Sequence, residues 1–505
     1  MQTPASHRLA GYAALIERFG LDTTPPWHRS IVADSNTQRV DTTATGVTEI
    51  YPSVYWPGNE PCDHLEFALK YDGTDLALLA QLLPAIGADA VAAWVSSAPQ
   101  GKYARRAWYL FELLTGTRLA IADLARGNYI DLLDEDAYFV SQAPVQVRRQ
   151  RVNDNLLGSA GFCPMVRRTA TIESFIAKDF AARSRDLAAA YPPALLSRAL
   201  NYLYTKETKS SFEIERITPD SSRTERFVSL LRSAATEDLC AKPSLIAAQN
   251  QIVDARFREL DYRREQNYVG ETVHYGRERI HYVCPRPEHV APLMSGLTES
   301  HARMAASGVH PVVHAATVGY AFVFVHPFAD GNGRLHRLLI HNILTRRGFV
   351  PAGLVFPVSV AMAENPAEYD ASLEAFSRPV MRLADYTLDE SGRMRVRNDL
   401  GPLYRYPDMT VQVEMLFAFI ERTVESVLVN ELEFLANYDR TKAAMQAVAD
   451  LPDREIDLFI RLCLQNAGRM SQAKRTSAFA ALSDDEVERL ERCVQLGYRK
   501  GPTPR

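Results

Sequence analysis

The chain has 505 residues, 47% hydrophobic and 23% charged, the balance of a folded protein of about two to four domains rather than a disordered one. A formal charge of −4 and a pI near 6.3 exclude a global electrostatic pull toward nucleic acid or anionic lipid. Six widely scattered cysteines (Cys62, Cys163, Cys240, Cys284, Cys463, Cys493) without a CxxC pair exclude a disulfide framework and a zinc pattern, which suits a reducing compartment.

The opening MQTPASHRLAGYAALIERFG lacks a basic segment followed by an apolar core, so no secretory signal is expected. No stretch approaches the roughly 20 apolar residues of a membrane-spanning helix, and a cytoplasmic protein is the expectation. Residues 1–140 form an N-terminal region with no assigned role, mixing polar, turn-rich sequence (VADSNTQRVDTTATGVTEIYPSVYWPGNEP) with helical stretches. In KYARRAWYLFELLTG, Ala107, Leu110, Leu113 and Leu114 recur at helical spacing and Gly116 is placed to end the helix. The arginine clusters VRRQR (147–151) and VRRT (166–169) read as solvated helix faces.

Residues 141–220 read as a helical segment. Prolines 192 and 193 suit the first turn of a helix whose face is marked by Leu196, Leu200 and Leu203, and Pro219 bars its continuation. Residues 221–390 hold YVGETVHYGRERIHYVCPRP, where Val273 and Tyr275, then Ile280 and Tyr282, alternate with polar residues. That is a β-hairpin signal with a turn around Gly276 to Glu278. Residues 391–505 return to helix: Ile456, Phe459, Ile460 and Cys463 share a face, and Ser483 to Glu486 (SDDE) forms a capping box. With a turn at Gly468, these last helices allow a helix-turn-helix reading, although simple packing is the more common origin of such helices. The fold expected is mainly α with one small hairpin, flanked by largely helical N- and C-terminal regions.

The window HPFADGNGRLHR (326–337) concentrates chemistry that packing does not require. Upstream, VVHAATVGYAFVFV is apolar almost all round, a buried core helix. Pro327 disfavours helical geometry at the residue before it, so His326 sits at that helix's end. Downstream, RLHRLLIHNILTRRG is a second helix with Leu335, Leu338, Leu339 and Ile343 inward, Arg346 and Arg347 in its last turn and Gly348 as its stop. The loop between them offers free N–H groups at a helix N-terminus, an anion site that Gly331 and Gly333 open to close approach. Arg334 and Arg337 can fork onto phosphate oxygens. Asp330 would repel phosphate, so it is read as a ligand for Mg²⁺ bridging phosphate oxygens. His326 can accept a proton near neutral pH. Together these describe transfer of a phosphorus-containing group to a hydroxyl. His310 and His314 are spaced i, i+4 without the glutamate of a zinc HExxH pattern, and His336 and His341 read as helix-face residues.

This window resembles the Fic family motif HPFx(D/E)GNGRxxR and matches it at every defined position. The resemblance covers roughly residues 190–390, including the hairpin and FPVSVAMAENPAEYDASLEAFSRP. It implies a Fic-type helical core at 221–390 and a protein adenylyltransferase that moves AMP from ATP to a Ser, Thr or Tyr hydroxyl of a target protein or of itself. In that reading His326 is the base and Asp330 the Mg²⁺ ligand. Gly331, Asn332 and Gly333 form the anion hole, and Arg334 and Arg337 hold the outer phosphates. Thr272 to Tyr282 are the flap that registers the target by strand addition, and Tyr369 is a candidate adenine contact by position only. ATP, Mg²⁺ and the target protein are the expected partners, with no membrane and no nucleic acid, and homo-oligomerisation is left open.

The resemblance also implies an inhibitory helix of pattern (S/T)xxxE(G/N) ending the 141–220 segment, met here by Ser211 and Glu215, with Glu215 pairing with Arg337. Arg216 departs from the pattern, a bulky cation where Gly or Asn is usual, able to pair with Glu215 itself. Transfer of UMP, phosphate or phosphocholine, removal of AMP, and a regulatory DNA- or protein-binding role for the C-terminal helices are the alternatives.

Overall fold

The computed structural model describes residues 7–34, 36–43, 46–274, 277–351 and 354–498. The protein is mainly α-helical, as expected, and carries small sheets beyond the one hairpin expected. It folds as two compact units, each assembled from separated segments. Met1–Lys178, Thr208–Phe349 and Met362–Phe419 form the first, and Asp179–Glu207, Val350–Ala361 and Ile420–Arg505 the second. The four consecutive regions expected from sequence (1–140, 141–220, 221–390, 391–505) do not coincide with these units. The helix Pro193–Ile214 changes unit within its own length, a division set by packing that composition does not mark.

The first unit opens with a four-stranded sheet absent from the sequence-based expectation. Strands β1 (Arg8–Ala10), β2 (His28–Ala33), β3 (Arg39–Thr43) and β4 (Gly46–Pro52) lie in the order β1-β2-β4-β3, with β2 and β4 parallel and the other pairs antiparallel. The pattern was hidden because β3 is exposed along its whole length and β4 buries an acid, Glu49, between its apolar positions. Tyr51 of β4 donates to Glu49 at 2.5 Å, which makes that burial tolerable. The helix Lys102–Thr115 forms and ends at Gly116 as expected. Its buried face runs through Ala104, Ala107, Trp108 and Leu110, while Leu113 and Leu114 are only half-buried.

The two arginine clusters are corrected: neither is a solvated helix face. Arg149 forks onto Glu112 and donates to the carbonyls of Leu119 and Ile121. Arg167 lies 3.6 Å from the Trp27 ring centroid and pairs with Asp408 at 3.0 Å. Both are clasps between distant loops, which a one-dimensional charge pattern does not reveal.

The core of this unit is the helix pair around the motif. Pro311–Val325 buries thirteen of its fifteen residues, and Asn332–Arg346 packs beside it. Each fully buried valine, leucine or phenylalanine contributes about 1.5–3 kcal/mol, so this pair is a rigid platform. The expected hairpin is present as Tyr268–His274 and Arg277–Val283, antiparallel, with His274 opposite Arg277. The turn residues Tyr275 and Gly276 lie outside the described residues.

In the second unit, Asp453–Gln465 buries Ile456, Phe459, Ile460 and Cys463 as its pattern predicts. The capping box forms in both directions between Ser483 and Glu486. The helix Pro193–Ile214 buries Leu195, Ala199 and Leu203, while Leu196 and Leu200 are half-buried, a rotation of the expected face by one residue. All six cysteines are free. No single helix among the described residues is long and apolar enough to cross a membrane.

Candidate active site

His326 ends the helix Pro311–Val325 in the left-handed region, φ 51° and ψ 60°. Pro327 disfavours continuing the helix through this residue, and the left-handed conformation found there is uncommon for a residue other than glycine. The ring Nδ1 lies 3.1 Å from the carbonyl oxygen of Val323. A carbonyl only accepts, so Nδ1 carries the hydrogen and Nε2 keeps its lone pair. Burial pushes the pKa of this ring down to about 4, and the nearby Arg263 charge adds to the effect. His326 is therefore neutral at pH 7, with an Nε2 able to accept a proton.

The loop that follows is closed by Asn332. Its side chain accepts from the Phe328 N–H at 3.1 Å and donates to the Phe328 carbonyl at 2.8 Å. The Asn332 amide is spent on shaping the loop, so its contribution to an anion hole is its backbone N–H. Gly331 caps the next helix at φ 91°, a conformation that favours glycine, and the first-turn N–H groups beyond it have no intrahelical acceptor. Asp330 accepts from the Gly331 N–H and from Nη2 of Arg334, both at 2.7 Å. Its side chain remains 37% exposed, which leaves the carboxylate reachable by a cation.

Arg334 and Arg337 are almost fully buried and converge on one carboxylate from outside the motif. Glu215 Oε1 accepts from Nη2 of Arg337 at 2.9 Å, and its Oε2 lies 2.7 Å from Nε of Arg334. The second contact is an ion pair whose N–H is not aligned on the oxygen. Ser211 adds its hydroxyl at 2.9 Å and its carbonyl at 2.6 Å as acceptors for Arg337. Burial works against the Arg337 charge, yet Tyr369 and Glu215 hold its pKa above the ordinary value. A Cβ on Gly333 would come within 2.5 Å of Glu215 Oε1, so the bare backbone there is what admits the carboxylate.

The end of the Glu215 helix explains Arg216. The N–H of Arg216 bonds to the Glu213 carbonyl and that of Ile217 to the Phe212 carbonyl, a Schellman ending with Arg216 in the left-handed position at φ 56°. Glycine or asparagine suits that position best. Arg216 adopts it at a cost in backbone strain, and the Glu215 oxygens go to the two motif arginines rather than to their neighbour.

Several sequence expectations are relocated. Tyr369 is buried, with its hydroxyl 3.4 Å from Nη1 of Arg337, so the structure sets it against the arginine. His336 and His341 are buried rather than displayed on a helix face. The His336 ring lies edge-on to Tyr320, and burial lowers its pKa to about 3. His310 caps its own helix through Val312 N–H, while His314 joins a buried chain. In that chain Arg347 donates to His314 Nδ1, His314 Nε2 meets His301 Nδ1 at 3.0 Å, and His301 Nε2 meets Asp238 at 3.2 Å. Asp238, Cys240 and His301 lie close enough to suggest a metal. However, the arginine at one end forces every imidazole to donate toward Asp238, so His301 Nε2 carries a hydrogen instead of a free lone pair. A cavity of about 210 Å³ lined by Trp27, Asp72, Asp75 and Arg167 lies elsewhere in this unit and takes no part in the motif site.

Sequence reading missed Arg263 and Glu259. Arg263 is buried and donates from its Nε to the His326 carbonyl at 2.7 Å. Glu259 accepts from the Ala329 N–H at 3.0 Å. Neither belongs to a motif, and nothing in their local spacing signals these long-range contacts.

Residues 242–344 match the family model described as Fic/DOC family. Among curated relatives, the protein adenylyltransferase Fic of Drosophila virilis is 40% identical over 91 residues, 18% of this chain and 17% of that one. That of Drosophila willistoni is 38% identical over 91 residues, 18% and 16%. The chain thus spans about a sixth of the length of these relatives. A Fic family protein from Desulfovibrio desulfuricans G20 aligns with TM-score 0.38 and 17% identity over 64% of this chain and 84% of that one. Fic-1 from C. elegans aligns with TM-score 0.29 and 22% identity over 51% and 74%.

Proposed function

We propose that this chain, a Fic-domain protein over residues 242–344, is a protein adenylyltransferase that moves AMP from ATP to a side-chain hydroxyl and is held in check by Glu215. One observation carries the reading. A single loop joins a neutral His326 with its Nε2 lone pair available to a helix N-terminus flanked by two buried arginines. That is a proton acceptor beside an anion site, the pair that phosphoryl-type transfer to a hydroxyl needs.

In the transfer, the target hydroxyl oxygen attacks the α-phosphorus of ATP while His326 Nε2 takes its proton. The new O–P bond forms as the bond to the β-phosphate oxygen breaks, and pyrophosphate leaves. Arg334, Arg337 and the N–H groups of Asn332 and Gly333 hold phosphate oxygens. Asp330, a partly exposed carboxylate beside that cradle, has the donor chemistry for Mg²⁺, which when bound with the nucleotide offsets phosphate charge. The target lies along the hairpin flap, whose first strand is exposed from Val269 to Val273, by strand addition, in the cytoplasm.

Glu215 blocks this arrangement because it occupies both motif arginines and lies against the Gly333 backbone. A carboxylate there repels phosphate and denies it the guanidinium groups. The test is incubation with α-labelled ATP and Mg²⁺. Weak self-labelling is expected for wild type, strong labelling for Glu215→Gly, and none for Glu215→Gly combined with His326→Ala. If Glu215→Gly labels no better than wild type, the restraint is wrong; label that survives loss of His326 removes the base. Labelling from UTP but not ATP would overturn the nucleotide.

A further inference from the structure

The two parts of the proposed reaction, the flap that presents a hydroxyl and the histidine that deprotonates it, belong to different elements and must meet within hydrogen-bond reach. One buried side chain connects them. Arg263 is 6% exposed and lies just ahead of the hairpin. Its Nη1 donates to the carbonyl of Glu265 at 2.8 Å, before the first flap strand. Its Nη2 donates to the carbonyl of Pro285 at 2.6 Å, just after the second. The same guanidinium reaches the end of the histidine helix, with Nε 2.7 Å from the His326 carbonyl and Nη2 3.4 Å from that of Val325. The Arg263 backbone N–H bonds to the Pro327 carbonyl at 2.8 Å.

Burying a guanidinium is costly unless its donors are used, and here they are spent on carbonyl oxygens with no carboxylate in hydrogen-bond or ion-pair contact among the described residues. Those carbonyls belong to both roots of the flap and to the catalytic residue itself. A left-handed histidine also stores backbone strain, and persists only where its surroundings over-determine it. Tyr282 adds a separate tie, donating to the Phe324 carbonyl at 2.6 Å. Arg263 alone among the described contacts grips His326 and both strand roots together.

We propose that Arg263 is a positioning residue that fixes the flap's two roots to the carbonyl end of the histidine helix, so that a hydroxyl laid along the flap arrives at Nε2 of His326. The proposal rests on the transferase reading above. It assigns Arg263 no contact with nucleotide or target. The planar fork is required because a lysine offers one point charge where three directions must be served.

The test is made in the Glu215→Gly background with Arg263→Met and Arg263→Lys, measuring ATP affinity and the rate of AMP transfer on the intact chain. ATP affinity is expected to stay unchanged. The transfer rate is expected to fall about 100-fold in Arg263→Met, the scale of an ångström-sized misplacement, with Arg263→Lys between the two. A second readout is the acid limb of the pH–rate profile. The charges facing His326 are Arg263 and Asp330, and the Val323 carbonyl holds its Nδ1; loss of the Arg263 charge moves that limb to higher pH in Arg263→Met. A variant that merely loosened the fold would lower ATP affinity along with the rate. Parent-like rate and acid limb in Arg263→Met overturn the proposal, as does parent-like transfer in Arg263→Lys if the Met variant does not fold. If the Glu215→Gly parent itself transfers no AMP, the transferase reading fails separately. Amide exchange at Cys284 and His326 then decides the staple, and exchange unchanged by Arg263→Lys or Arg263→Met overturns it.

Discussion

The motif helix Asn332–Arg346 and the C-terminal helices Asp453–Gln465 and Asp484–Gly497 are of similar length, yet only the first buries polar and charged residues beside its apolar ones. The C-terminal pair buries only Ile456, Phe459, Ile460, Cys463, Val487, Leu490 and Val494, with polar residues outside. The motif helix buries twelve of its fifteen residues, among them Asn332, Arg334, His336, Arg337, His341 and Asn342. Apolar burial stabilises wherever it occurs, whereas each buried charge must be matched in place. A helix that keeps several polar groups inside is organised around a site; one with a clean apolar stripe is organised around its neighbours. The same comparison weighs against a DNA-reading role for the last helix. Its first turn carries Asp484, Asp485 and Glu486, where a recognition helix approaches bases and phosphates.

The contrast is tested most strongly by one substitution in each region. Arg337→Ala leaves Glu215 with the Arg334 contact alone and strips the buried Ser211 hydroxyl and carbonyl of their donor, and is expected to cost about 3–5 kcal/mol. Phe459→Ala opens a core cavity and is expected to cost a similar 3–5 kcal/mol. Denaturant unfolding should show both losses. In the Glu215→Gly background, ATP labelling should vanish with Arg337→Ala and persist with Phe459→Ala; labelling lost in both would mean that the two regions are not functionally separate.

A second expectation concerns pH. Because His326 titrates at about 4 rather than at the ordinary 6.5, its neutral form persists well below neutrality and protonates only as pH falls through about 4. The kcat/KM of Glu215→Gly should therefore hold to about pH 5 and fall below it. An acid limb at the ordinary histidine value would show that burial does not depress this group as described.

The smallest effect belongs to the helix end. Arg216→Gly relieves a left-handed non-glycine residue and is expected to stabilise the protein by up to about 1 kcal/mol. Labelling should stay as weak as in wild type, because Glu215 keeps its place. Stronger labelling would mean that Arg216 itself maintains the restraint.

Much of this was written locally. Pro327 dictated the break at His326, Gly331 the helix start, and the apolar run 312–325 its own burial, because each depends on neighbours within a few positions. The hairpin and the capping box at Ser483 were legible for the same reason. The N-terminal sheet was not, since an all-exposed strand such as Arg39–Thr43 shows no alternation until a partner is beside it. The tertiary structure alone decided that Glu215 reaches Arg334 as well as the expected Arg337, 122 positions away, and that Arg263 grips His326 63 positions on. Those contacts depend on where a fork of donors lies in space, and a buried guanidinium takes whichever carbonyl or carboxylate the packed chain brings to it.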